Sequence, residues 1–357
     1  MIDTSEPVPI GELLFLGRKF EWSKNLLEPE KVRNQFQAFT KTHPEIAISA
    51  QETVNTITTS NKMAAEIYER FCPAEYLNLV YHNADHEAVT GLTGLKLFLG
   101  GLVKLADKPE YKEYFGDRQK VGKLITTVAF CLANHEVDDW FDRMDENFNQ
   151  EQIEQKQAVI ADGKAKVREL LEVQKINPWD FQGLVSLDAF SEPVEVSLKK
   201  ATDTPQAIRD FLEVGRQSQS EVLADLVSDK GLRQEILRVY ANSVRAADFM
   251  QIFNPAYRQE IQVRGEDGQV LRKTAGTIAL ATEVIKFRPK MISGAGWSKN
   301  GDGVLDWGKV GMDAGFYLKL AKPNIELGLN YMRNFDAGEY DRAMAVKGEY
   351  DNRFGAS

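Results

Sequence analysis

The chain has 357 residues, of which 43% are hydrophobic and 27% are charged, and this composition excludes a largely disordered protein. Its formal net charge of −9 argues against a general nucleic-acid binder, which needs a basic surface to replace the counterions of phosphates. The N-terminus lacks a basic start followed by a long apolar run, and no apolar stretch reaches the length of a membrane span. We therefore expect a cytoplasmic protein, although secretion without a signal peptide is compatible with the same sequence.

Helical periodicity begins near residue 61. Before it, the sequence is mixed and broken by prolines, and we interpret residues 1–60 as an N-terminal packing segment. From there to about residue 253, apolar residues recur at spacings of three and four, which predicts amphipathic helices. The predicted helices are 61–71, a second from about 74 to beyond 93, 119–136, 150–174, 208–226 and 232–253.

The helical pattern stops at residue 260. Ile261 and Val263 alternate with polar residues and precede a turn at 266–268, after which Val270 continues the apolar pattern. Two short alternating runs joined by a glycine-containing turn are typical of a β-hairpin. The sequence therefore predicts a small hairpin over residues 260–274.

A last helical region is predicted from about residue 307 to 335, with an interruption near Pro323. The sequence contains no internal repeat. The predicted fold class is therefore mostly α with one hairpin. We expect a main helical domain over residues 61–260, and residues 261–357 as a hairpin and helical extension packed on it.

Three of the four histidines fall on two predicted helices. His82 and His86 are four residues apart in YHNADHEAV, so on a helix both rings point the same way. His135 lies on the apolar stripe of the predicted helix 119–136. Imidazoles placed in this way can bind a metal ion or transfer a proton. The alternatives are two incidental surface histidines for the pair, and for His135 a core histidine with a backbone partner.

An aspartate continues the apolar face of the predicted helix 232–253. Asp248 follows Val244 by one turn, so it is expected to point towards the core. A buried carboxylate is unfavourable unless it binds a cation or accepts several hydrogen bonds. Asp248 is thus either a metal ligand or the partner of Arg245 or of a neighbouring helix.

These segments resemble a known family. YHNADHEAV resembles the YHN-x-x-H segment of the HD superfamily of metal-dependent phosphohydrolases, particularly its cyclic-nucleotide phosphodiesterases. Along the chain that family has a histidine pair, then a His-Asp pair at the end of a helix, then a distant aspartate. Here the corresponding positions are His82 and His86, ANHEVDD around His135, and AADFMQIFNP around Asp248. The resemblance covers about residues 61–260 and implies an HD-type helical bundle.

The resemblance also implies a set of metal ligands. His86, His135 and Asp248 would bind a first divalent ion, expected to be Zn, Mg or Mn. In the family the residue after the second histidine is an aspartate that bridges to a second ion, whereas this chain has Glu136 there. Glu136 would take the bridging position, or Asp139, one helical turn beyond His135, would replace it.

A proton donor is the remaining part of the implied site. His82 would protonate the leaving oxygen of the substrate, and Asn83 and Glu87 would orient His82 or a bound water molecule. The implied reaction is the attack of a metal-activated water on a phosphate ester.

The expected substrate is a small phosphorylated molecule, foremost a phosphodiester such as a cyclic nucleotide. The family holds a purine with a late glutamine, and the aromatic segment at 311–317 offers no glutamine in a matching place. Two alternatives remain open at this point. One is an HD-type di-iron oxygenase, and the other is a catalytically degenerate protein that binds a nucleotide in regulation.

Overall fold

A computed structural model gives the architecture of several segments of the chain. The residues that it describes are 8–9, 28–46, 53–55, 57–58, 84–132, 223–224, 226–253, 260–264, 269–274 and 307–354. Helices dominate these residues, which confirms the mostly α fold class. The predicted helices 61–71 and 150–174, and nearly all of 208–226, lie outside the described residues. The proposed division into an N-terminal segment, a main domain and an extension stays a prediction.

The described helices are named here in chain order. They are α1 (Pro29–Thr42), α2 (Ala84–Ala106), α3 (Lys112–Gly116), α4 (Arg118–Leu132), α5 (Lys230–Met250), α6 (Trp307–Phe335) and α7 (Ala337–Phe354). Short 3₁₀ turns occur at Pro109–Tyr111 and at Gln251–Phe253, directly after α5. The helix expected over 232–253 is thus confirmed as α5 with its terminal turn.

Helix α2 is the centre of the fold. It contacts α4, α5 and α6, and most of its described side chains are buried, as is typical of a helix in the core of a protein. The completely buried residues of α2 include Leu95, Leu97, Phe98, Leu99 and Leu102. Among the described helices it is also the one with the length and composition to span a membrane. However, 89% of that stretch is buried in the fold, as expected for a core helix.

Glycines let the three longest helices pack closely. A Cβ at Gly100 of α2 would lie 2.0 Å from the carbonyl oxygen of Tyr331, so α6 crosses α2 with its backbone against this glycine. A Cβ at Gly101 would lie 2.3 Å from Val239 Cγ1 of α5. The Asn334 side chain donates a hydrogen bond of 2.9 Å to the Gly100 carbonyl and so fixes the crossing of α2 and α6.

The contacts also give the helix directions. Along α2, Gly94 lies beside Ala247 and Gly101 lies beside Val239, so α2 and α5 are antiparallel. Gly328 of α6 adjoins Leu97, and Tyr331 follows at Gly100, so α2 and α6 are parallel.

The predicted hairpin is confirmed. Strands β2 (Glu260–Arg264) and β3 (Val270–Thr274) pair antiparallel, with Glu260 opposite Thr274 and Arg264 opposite Val270. A two-residue strand β1 (Val8–Pro9) adds to β2 in parallel.

The expected interruption near Pro323 is wrong, because α6 runs through this residue without a break. A proline inside a helix removes one backbone hydrogen bond, which leaves the carbonyl of residue 319 without its usual donor. Lys319 and Pro323 are both exposed, so water can satisfy that carbonyl. The solvent-facing position of Pro323 makes the continuous helix tolerable.

Candidate functional site

The predicted site residues fall partly within the described segments. His86 is described with its side chain, and Glu87 and Asp248 are described as positions on α2 and α5. His82, Asn83, His135, Glu136 and Asp139 lie outside the described residues.

His86 is on the buried face of α2. It lies near the start of the described helix, and only 2% of the residue is exposed. Ala88, Val89 and Thr90, which follow it, are buried as well. For His86 the interpretation as an incidental surface histidine is therefore wrong. His86 takes part in an interaction within the fold, as both a core histidine and a metal ligand would.

Helix α5 carries Asp248 past the same helix. Ala246 and Ala247, the two residues before it, are completely buried. The Ala247 Cβ would lie 3.6 Å from a Cβ placed at Gly94 of α2. The small side chains of Gly94 and Ala247 thus allow α5 to approach α2 closely at the residue that precedes Asp248.

Helix α4 reaches α2 at the same glycine. A Cβ at Gly94 would lie 2.9 Å from Leu132 Cδ2, and Leu132 is the last residue of α4. His135 follows three residues later in the sequence. Three helices therefore meet at Gly94: the helix of His86, the helix of Asp248, and α4, whose described part extends to Leu132.

The rise per residue of an α-helix gives the distance along α2 between the levels of His86 and Asp248. His86 precedes Gly94 by eight residues, which corresponds to about 12 Å along α2 at 1.5 Å per residue. The backbone of Asp248 passes close to the level of Gly94. The backbone positions of His86 and Asp248 are therefore about two helical turns apart along α2.

Thr90 was not among the predicted site residues. It lies four residues after His86 and four before Gly94, so the three positions form one row on α2. Thr90 is completely buried, and within the described segments its Oγ1 has no hydrogen-bond partner. The sequence signal that could have found it is the spacing of four from His86.

The described segments by themselves do not assemble a metal site. Within them, no group of three or more His, Cys, Asp and Glu side chains is placed to hold an ion. His135, Glu136 and Asp139 are outside these segments, and so the predicted ligand set is not tested by this finding. The chemistry of the predicted ligands, imidazole with carboxylate, suits Zn²⁺ or Mn²⁺.

In comparisons with known proteins, no protein-family model, no curated protein and no solved structure matches the chain.

Proposed function

We propose that this chain is a metal-dependent phosphohydrolase that cleaves a phosphate ester, foremost a phosphodiester such as a cyclic nucleotide. The observation that carries the proposal is the buried His86 on α2, a helix that meets both α5 and the end of α4 at Gly94. The order of the motifs around His82 and His86, His135 and Asp248 supports the same reading.

Most of the predicted site residues would serve as metal ligands. His86, His135 and Asp248 would hold the first divalent ion, with Glu136 or Asp139 in the bridging position. A divalent ion in such a site activates water and offsets the charge of a phosphoryl group. This local positive charge would accommodate an anionic substrate on a protein whose net charge is −9.

The proton-transfer part belongs to His82 and Asn83, which precede α2 in the sequence, and to Glu87 within it. His82 would donate a proton to the departing alkoxide, and general acid catalysis of this kind contributes on the order of 10²–10⁴-fold to turnover. Asn83 and Glu87 would orient the His82 ring or a water molecule.

Metal analysis of the purified protein, combined with a panel of phosphate esters, tests the proposal. The informative variant is His86→Ala, which should lose bound metal and activity together. His43→Ala is the matched control, because His43 lies at the end of α1 with its Nδ1 3.1 Å from Glu45 Oε1. We expect the control to keep the metal and the activity of the unmodified chain.

Three outcomes would contradict the hydrolase. Retention of metal and activity in His86→Ala would remove His86 from the site. Bound iron with oxygen uptake and no ester hydrolysis would identify an oxygenase. A metal-free protein that binds a nucleotide without turnover would identify a degenerate binding protein.

A further inference from the structure

A single residue joins the last two described helices. Helix α6 ends at Phe335 and α7 begins at Ala337, so Asp336 alone connects them. Two helices that turn back on each other are ordinarily joined by a loop of about 2–5 residues. The connection between α6 and α7 is therefore shorter than that of a usual helical hairpin.

The contacts of α7 show that it does turn back. Helix α6 crosses α2 at Gly100, whereas Glu339 of α7 pairs with Lys96, one turn nearer the beginning of α2. Further along α7, Tyr350 packs against Phe253, with ring centroids 5.8 Å apart. Because α5 is antiparallel to α2, Phe253 at the end of α5 also lies towards the beginning of α2. Helix α7 thus runs back along the core, in the direction opposite to α6.

The backbone at Asp336 nevertheless keeps helical hydrogen bonds on both sides. Its N–H donates to the Met332 carbonyl at 2.8 Å, and its carbonyl accepts from the Tyr340 N–H at 3.0 Å. Both bonds join residues four positions apart, as in a continuous α-helix. The Asp336 side chain accepts the N–H of Glu339 at 3.0 Å and so caps the start of α7. A change of backbone angles around Asp336 would therefore join α6 and α7 into one helix over residues 307–354.

Straightening this hinge would leave the core of a single chain incomplete. It would withdraw Glu339 from Lys96, which is 5% exposed and whose Nζ donates to both Glu339 oxygens at 3.0 Å. A buried charge without its partner is strongly unfavourable. Straightening would also expose the buried face of α7, formed by Ala343, Val346 and Tyr350. The straight form is therefore stable only when the α7 of another molecule fills the vacated place.

We propose that two copies of this chain exchange α7, and that Asp336 is the hinge of the exchange. In the exchanged dimer α6 and α7 form one helix, and each α7 makes on the other molecule the contacts that it makes within a single chain. The exchanged and closed forms then differ little in packing, while the short connection favours the exchanged form. The proposal rests on the described helices and does not require the metal ion.

Two variants that complement each other only across an exchanged dimer test the proposal. Lys96→Glu places two carboxylates at the contact, and Glu339→Lys places two ammonium groups there. Each variant alone has like charges at this contact in both the closed and the exchanged form. In an exchanged dimer of one variant with the other, opposite charges meet at both contacts. The two proteins are mixed in urea, refolded together at high concentration, and analysed by size-exclusion chromatography with light scattering and by thermal melting.

The ion pair between Lys108 and Glu235 provides the matched control. Its atoms are 3.0 Å apart, and it joins α2 to α5 without involving the hinge. We expect the Lys96→Glu and Glu339→Lys mixture to form a dimer that contains both chains. This dimer should melt on the order of 5–10 °C above either variant alone. The mixture of Lys108→Glu with Glu235→Lys should show no such gain.

A mixture that behaves as the sum of its two variants, with no mixed dimer, would overturn the exchange of α7. An equal gain in the control mixture would overturn it as well, because that gain could not come from α7. If the charge variants do not fold even together, the unmodified chain is compared with a variant that carries Gly-Gly-Ser inserted after Asp336. A longer connection lets α7 close on its own chain, so we expect dimer from the unmodified chain and monomer from the insertion variant. An unmodified chain that stays monomeric, or equal amounts of dimer from both proteins, would contradict the proposal.

Discussion

A buried lysine is the most unusual residue of the central helix. Lys96 of α2 is 5% exposed, and its Nζ donates to both carboxylate oxygens of Glu339 at 3.0 Å. Glu339 lies in the first turn of α7, where its backbone N–H donates to the Asp336 side chain at 3.0 Å. The ion pair therefore joins the C-terminal helix to the core helix, and each charge depends on the other for compensation.

Removing one partner of the Lys96–Glu339 ion pair should destabilise the fold more than replacing both partners. Glu339→Ala leaves the Lys96 ammonium buried without a counter-charge, and we expect a loss of about 3 kcal/mol in the free energy of unfolding. The double variant Lys96→Met/Glu339→Leu fills the same space with apolar groups and should recover most of that loss. Urea denaturation of the three proteins measures the effect. A double variant as unstable as Glu339→Ala would show that packing, and not the unpaired charge, controls this contact.

Residue-scale chemistry was partly predictable. His86 is buried together with the apolar residues that recur along its helix, because burial follows helical periodicity. Thr90 was missed because a β-branched residue on an apolar helix is usually a packed residue with its hydroxyl bonded to the preceding turn. Whether a hydroxyl finds that partner depends on its rotamer, and the rotamer is set by tertiary neighbours. The roles of His82, His135 and Asp248 stay predictions.

At the scale of elements, the close crossing of α2 and α6 depends on the absence of a side chain. The Tyr331 carbonyl oxygen occupies the space of a Cβ at Gly100, at 2.0 Å, and the obstacle is backbone that cannot rotate away. Gly348 of α7 provides the opposite case, since no atom of the described segments lies within 4 Å of a Cβ there.

The two glycines should therefore respond to alanine with opposite signs. Gly100→Ala forces α2 and α6 apart, and we expect a destabilisation of about 2–3 kcal/mol or more. Gly348→Ala removes backbone freedom from the unfolded chain without a clash and should stabilise by about 0.5–1 kcal/mol. Chemical denaturation of both variants provides the comparison. A neutral Gly100→Ala would mean that α6 does not cross α2 at this residue.

Helices and strands were predicted correctly where the periodicity of apolar residues was strong. Helix α5 and the β2–β3 hairpin were found because long helical periodicity and alternation around a glycine turn are local signals. Helix α7 was missed because its buried residues are sparse among charged ones, and its packing is supplied by residues far away in sequence, such as Phe253 against Tyr350. The interruption at Pro323 was predicted wrongly because the sequence does not show that this residue faces solvent, where water can satisfy the carbonyl left without a donor.

The whole molecule is held together by contacts between distant segments of the chain. Two tyrosines with shifted pKa values, Tyr114 and Tyr331, couple the stability of the fold to pH. Burial raises the pKa of Tyr114 far above its ordinary value of 10.0, and the negative charge of Asp117 raises it further. Burial also raises the pKa of Tyr331 on α6, which the hydrogen bond with Asn242 and the charge of Arg238 partly oppose. Both phenols are thus held neutral by the folded state.

The direction of the pH effect follows from these shifts. Below pH 10 the phenol of Tyr114 is neutral in both the folded and the unfolded chain, so it adds no pH dependence. Above pH 10 the unfolded chain releases the proton while the folded chain retains it, and stability falls as the pH rises. One such group contributes a slope of up to about 1.4 kcal/mol per pH unit.

Tyr114→Phe should therefore flatten the alkaline loss of stability. Within the described segments the Tyr114 hydroxyl has no hydrogen-bond partner, so phenylalanine keeps the ring contacts and removes an unsatisfied group. We expect the variant to be at least as stable as the unmodified chain at pH 7. Between pH 10 and 11 it should lose less stability, by about 1 kcal/mol, because it has no proton to release on unfolding. The measurement is urea denaturation of both proteins across this range. Lysines also titrate in this range, but their effect on stability is the same in both proteins and cancels in the comparison. Parallel losses in the two proteins would show that Tyr114 ionises equally in the folded and unfolded chain, and would contradict its packing against the hydrophobic core.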